Sequence, residues 1–121
     1  MQKILIGTCN TLLWETLAAE ISSLNYAPLW ACTGLEVQEI ALAEAPALIF
    51  LSPNLPVFDG YEACTHLRQD PEIALETSIY LISDGEQNPH KLDRAGFTGT
   101  FPETHVQQTL QELLGNLAWP G

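Results

Sequence analysis

Apolar positions along this chain follow two rhythms. Short unbroken apolar runs occur at Lys3–Gly7 (KILIG), Ala47–Leu51 (ALIFL) and Ile79–Ile82 (IYLI). Runs of this length, bounded by proline, serine or a polar turn, read as strands buried on both faces. Between them the apolar residues recur at i+3 and i+4: Leu13, Leu17, Ile21 and Leu24, then Val37, Ile40 and Ala41, and finally Val106, Leu110, Leu113, Leu114 and Leu117. Each set makes one core-facing stripe of a helix. Two weaker runs complete the pattern, Leu29–Cys32 after Pro28 and Phe97–Phe101 interrupted by Gly99. A proline beside a strand argues for the edge of a sheet.

Polar punctuation sets the boundaries. Asn10 or Thr11 caps a first helix that begins near Leu12, and Asn25 fits the left-handed stop after it. Thr33 with Glu36 has capping-box spacing and opens a second helix of about ten residues, ended by Pro46. Asp59 with Glu62 opens a third, from about Gly60 to Gln69, closing at Asp70 and Pro71. Asn88 followed by Pro89, with Gly96 as the stop, gives a fourth helix of barely two turns. Thr104 with Gln107 opens the last. Strand and helix alternate five times, which predicts an α/β domain: a doubly wound five-stranded parallel sheet with helices on both faces. The order 2-1-3-4-5 is common in such chains, with the functional crevice at the C-terminal ends of the strands. Residues 1–118 form one domain, and Trp119, Pro120 and Gly121 read as a tail or the start of a linker.

Composition narrows the function. Among 121 residues, fifteen acids stand against Lys3, Arg68, Lys91 and Arg94, for a formal charge of −11. Four scattered cations supply neither a nucleic-acid groove nor a patch for anionic membranes. No apolar run approaches the roughly 20 residues of a membrane span, and Met1 leads directly into a strand, so a cytoplasmic protein is expected. Cys9, Cys32 and Cys64 are odd in number, without metal spacing or a CxxC, and read as free thiols.

The stretch Pro46–Glu62, PALIFLSPNLPVFDGYE, carries the strongest motif. An apolar strand ends at Ser52, two prolines follow, and Leu55, Pro56, Asp59, Gly60 and Glu62 stand at fixed offsets. This pattern resembles the receiver domain of bacterial two-component response regulators. Dispersed landmarks extend the resemblance over nearly the whole chain: KILI, then Asn25 and Tyr26, Ala31, Gly34 and Glu36, and Ala95 with Gly96. It implies the flavodoxin-like receiver fold. For the chemistry it implies a loss. Receivers of this kind use an aspartate as phosphoryl acceptor, an acid pair that holds magnesium, a hydroxyl on the fourth strand and a lysine on the fifth. Those places fall on Ser52, on Thr8 and Cys9, on Ser83, and on either Phe101 or Glu103 according to register. Only Ser83 keeps the family's type of group. Magnesium favours hard anionic oxygens, so no metal, no cofactor and no phosphoryl-transfer activity are expected at this crevice.

The resemblance therefore points to a degenerate, or pseudo-, receiver: a signalling module acting through a protein partner or self-association, and not an enzyme. Lys91, Arg94, Thr100, His105 and Trp14 are candidates for the partner surface. Trp14 and Trp30 otherwise read as ordinary packing at helix and strand margins. A small-molecule or redox-cofactor sensor, with the crevice over Thr8, Ser52 and Ser83 re-lined for a ligand, is the alternative. A third reading is flavin binding, because Gly7–Thr11 followed by Glu15 is similar to a flavodoxin phosphate loop. A hydrolytic pair of Ser52 and His66 is disfavoured: His66 falls two turns into its helix, away from the crevice and facing solvent. Cys9 before a helix start has no arginine nearby for a thiol-phosphatase role and reads as a loop-packing residue.

Overall fold

Side chains alternate between the two faces of a strand, and here both faces are covered. The computed structural model describes residues 2–73, 77–83, 89–102 and 106–116. Strands β1 (Lys3–Gly7), β2 (Ala27–Ala31), β3 (Leu48–Leu51), β4 (Ser78–Ile82) and β5 (Gly99–Phe101) alternate with helices α1 (Thr11–Ser23), α2 (Gly34–Glu44), α3 (Gly60–Gln69), α4 (Pro89–Ala95) and α5 (Val106–Asn116). All pairings are parallel and the order is β2-β1-β3-β4-β5, as the alternation predicts.

The sheet separates two cores. Ile4, Ile6, Leu48 and Phe50 face Leu13, Leu17 and Ile21 of α1 and Leu110 of α5. Leu5, Ile49 and Leu51 face Val37 and Ala41 of α2 and Ala63, Cys64 and Leu67 of α3. Each large aliphatic side chain buried in this way contributes about 1.5–3 kcal/mol. Every residue of β3 is buried, which explains its unbroken apolar run. Leu113 packs beside Leu110, whereas Leu117 lies outside the described residues.

The caps follow the polar punctuation. Asn10 caps α1 by accepting from the Leu13 amide at 3.1 Å, and Thr33 caps α2 by accepting from the Glu36 amide at 3.0 Å. At α3 the box is reciprocal: Asp59 Oδ1 accepts from the Glu62 amide at 2.8 Å, and Glu62 Oε1 from the Asp59 amide at 3.4 Å. Asn25 takes the left-handed conformation, φ 68°.

β3 starts one residue later than its apolar run and β4 one residue earlier, and two other strands differ more from their sequence-predicted limits. β2 starts at Ala27 and takes in Pro28, opposite Ile4; an edge strand has one side that needs no donor. β5 is three residues long because the residues before it close α4. Gly96, at φ 95°, and Phe97 both donate to the Leu92 carbonyl, at 3.1 Å each, the arrangement by which a helix satisfies its last carbonyls. Asn88, Glu103, Thr104, His105 and the tail lie outside the described residues. No helix among the described residues is long and apolar enough to cross a membrane.

Candidate functional site

At the C-terminal edge of the sheet, hydrogen bonding continues one residue past the strands. The Thr8 amide donates to Ala31 O at 2.9 Å, and the Ser52 amide donates to Gly7 O at 2.8 Å. This places the hydroxyls of Thr8 and Ser52 side by side. Ser52 Oγ donates to Thr8 Oγ1 at 2.9 Å, and Thr8 Oγ1 also accepts from the Asn10 amide at 3.1 Å. Thr8 is 1% exposed, so its oxygen is sealed beneath the crevice with both acceptor positions used.

Cys9 does not pack as a free thiol. It forms a disulfide with Cys32, 23 residues on, with Cα atoms 4.7 Å apart. This corrects the reading of both as unpaired, and of Cys9 as a loop-packing residue. Pairing of Gly7 with Ala31 brings the residues after β1 and β2 together, a relationship that local cysteine spacing does not reveal. Cys64 is the free, buried cysteine. Beside the bridge, Trp14 and Trp30 stack at 5.1 Å between centroids with planes 8° apart, and Trp30 Nε1 donates to Thr8 O at 2.8 Å. The margin packing read from the sequence is thus a specific aromatic pair tied to the crevice.

On the other side of the crevice, the Ser83 amide donates to Phe101 O at 2.8 Å, joining the ends of β4 and β5. Phe101 is 1% exposed and lies 4.7 Å from the Phe50 ring. It fills the core and brings no charge to the crevice, and Glu103 lies outside the described residues.

His66 is half-buried, not solvent-facing as the sequence suggests. Its ring meets Phe58 edge-on at 4.5 Å. Phe58 reaches it because Val57, at φ 70°, turns the β3–α3 loop through the left-handed region. Ser52 spends its hydroxyl on Thr8 and not on His66.

The candidate partner residues do not form one patch. Lys91 Nζ sits 4.1 Å from the centre of the Tyr61 ring. Lys91 and Arg94 of α4 line a cleft of about 530 Å³ with Tyr61, Thr65 and His66 of α3. Thr100 is exposed on edge strand β5. Trp14 stacks at the opposite edge, on β2, and His105 lies outside the described residues. The cleft was legible in part: Tyr61, Thr65 and Gln69 share one face of α3 at i+4 spacing.

A magnesium ion does not fit these donors. Among the described residues the crevice offers a buried threonine hydroxyl, a disulfide sulfur and the hydroxyls of Ser52 and Ser83, whereas magnesium sites are built on one or two carboxylates. Asp59, the first acid after Ser52 in the chain, is occupied in capping α3. Among the described residues no three His, Cys, Asp or Glu side chains gather as a metal site.

No protein-family model matches the chain, and no curated protein matches it. Solved structures do. The receiver domain of the sensor histidine kinase PA1611 from Pseudomonas aeruginosa, solved with magnesium in its active-site cleft, superposes with a TM-score of 0.82 at 23% identity over 93% of each chain. The Vibrio cholerae chemotaxis protein CheY4 gives 0.85 at 21% identity, over 95% of this chain and 97% of that one. The response regulator domain of Thermotoga maritima CheB gives 0.78 at 20% identity, over 95% and 92%. The fold of this chain is that of the response-regulator receiver domain.

Proposed function

We propose that the chain is a signalling module of receiver type that acts through phosphorylation-independent contact with a protein partner or a second copy of itself, and that it is not an enzyme. The observation that carries this reading is the Thr8–Ser52 hydroxyl pair at the ends of β1 and β3. A phosphoryl acceptor at this point needs an anionic or activated nucleophile and a metal to neutralise phosphoryl oxygens. Ser52 has no base within its hydrogen bond, since its partner is a neutral hydroxyl. With the switch chemistry gone, the scaffold and its surface are what remain to carry a signal.

Incubation with magnesium and a small phosphodonor such as acetyl phosphate, followed by intact mass, tests it. The mass is expected to stay unchanged. A stable gain of one phosphoryl group at Ser52 would overturn the reading.

A further inference from the structure

We propose that the Cys9–Cys32 bridge is a thiol–disulfide exchange site, opened and closed by a dithiol, and that its state is transmitted to the Trp14–Trp30 pair. Three observations support this. The first is access: Cys9 is exposed and Cys32 partly so, and exposed bridges are the ones that exchange most readily with external thiols. The second is placement. The bridge joins two loops beyond the sheet, while Thr8 N to Ala31 O already holds β1 to β2 and both cores are complete without it. Opening it therefore leaves the fold standing. The third is connection. Thr8, next to Cys9, accepts from Trp30 Nε1 and from Ser52, and Trp30 lies two residues before Cys32. On the far side, the Gly34 amide donates to Pro56 O at 3.1 Å, linking the Cys32 turn to the β3–α3 loop.

The exchange balances as follows. A thiolate of the dithiol attacks Sγ of Cys9, the more exposed residue of the pair. The Sγ–Sγ bond breaks, a mixed disulfide forms at Cys9, and Cys32 leaves as a thiolate that takes up a proton. The second thiol of the reagent then attacks the mixed disulfide and releases Cys9. Two electrons have passed, giving two protein thiols and an oxidised dithiol.

The test uses native protein carrying Trp119→Phe, so that emission reports Trp14 and Trp30. Dithiothreitol is followed by iodoacetamide and intact mass, with no denaturant. No alkyl adducts are expected before reduction and two after it, at Cys9 and Cys32, while buried Cys64 stays unmodified. Tryptophan emission should shift on reduction, far-UV circular dichroism should hold, and oxidised dithiothreitol should restore the starting state. In a Cys9→Ser variant the reagent should leave emission unchanged. The proposal is overturned if adducts appear before reduction, if reduction needs denaturant, if the reduced protein unfolds, or if the emission shift persists in Cys9→Ser. None of these outcomes bears on phosphoryl transfer, so this proposal and the receiver-module reading fail separately.

Discussion

Ser52 Oγ donates a 2.9 Å hydrogen bond to Thr8 Oγ1, so the ends of β1 and β3 are joined through two neutral side chains. Thr8 is the more committed partner, since it is 1% exposed and also accepts from the Asn10 amide. Removing Thr8 Oγ1 strands two donors, whereas removing Ser52 Oγ leaves Thr8 still paired to Asn10. An ordinary hydrogen bond contributes about 0.5–1.5 kcal/mol, and a buried group left unpaired costs about 1–3 kcal/mol. Thr8→Val is therefore expected to destabilise by about 2 kcal/mol and Ser52→Ala by about 1 kcal/mol. Urea unfolding at constant m-value measures both, and equal losses would contradict the arrangement.

Val57 supplies a second prediction. A β-branched residue at φ 70° is a steric outlier, and this one is 66% exposed, with little packing to compensate. Left-handed backbone costs roughly 1–2 kcal/mol in an L-residue, and glycine is free of that cost but gives up about 0.5–1 kcal/mol of chain entropy. Val57→Gly should therefore leave stability unchanged or raise it by up to about 1 kcal/mol, against the usual sign for glycine substitution. A thermal melt that shows a clear loss would mean that Val57 holds the loop through its side chain.

Much of this architecture was legible locally. Asp59 and Glu62 fixed the start of α3 because both halves of a capping box lie within one turn, and the four apolar residues of β3 could be nowhere but the sheet centre. The shortened β5 was hidden because the Phe97 amide is claimed by Leu92 of α4, and an apolar run does not disclose that its first residues belong to a helix cap. The Cys9–Cys32 bridge and the Trp14–Trp30 stack were hidden for a different reason. Both depend on which strands become neighbours, and parallel pairing of β1 with β2 joins positions far apart in sequence. The crevice residues Thr8 and Ser52 were read from a motif, but the bond between them is a product of register.

Cys64 connects packing to pH. Burial in the core against α2 pushes its thiol from 9.0 up to about 12, with the nearby Arg68 guanidinium pulling more weakly in the other direction. The unfolded chain releases this proton near the ordinary value while the native protein keeps it. The contribution is fully present below pH 9.0 and is lost as the pH rises toward 12. The slope is about 1.4 kcal/mol per pH unit. Cys64→Ala lacks this titration, so the stability difference between it and the parent should narrow as the pH climbs from about 8 to about 10. A difference that stays constant over that range would show that Cys64 titrates normally.

The strongest demand on the crevice comes from returning carboxylates to it. In Thr8→Asp/Ser52→Asp two acids occupy positions whose hydroxyls now touch, and like charges at such a distance repel. Without metal the variant should be less stable than the parent. Magnesium favours a site with one or two carboxylates, and a ligand that binds only the folded state stabilises by about 2.7 kcal/mol at a concentration one hundred times its Kd. Millimolar magnesium should therefore raise the melting temperature of the double variant by several degrees, measured at matched ionic strength so that screening does not mimic binding. The parent should not respond, because the Thr8–Ser52 pair offers no carboxylate, and Ser52→Asp alone, with one, should respond less than the double variant. A magnesium-dependent rise in the parent would mean that the neutral crevice holds a metal after all, and would remove the basis for a switch-free module.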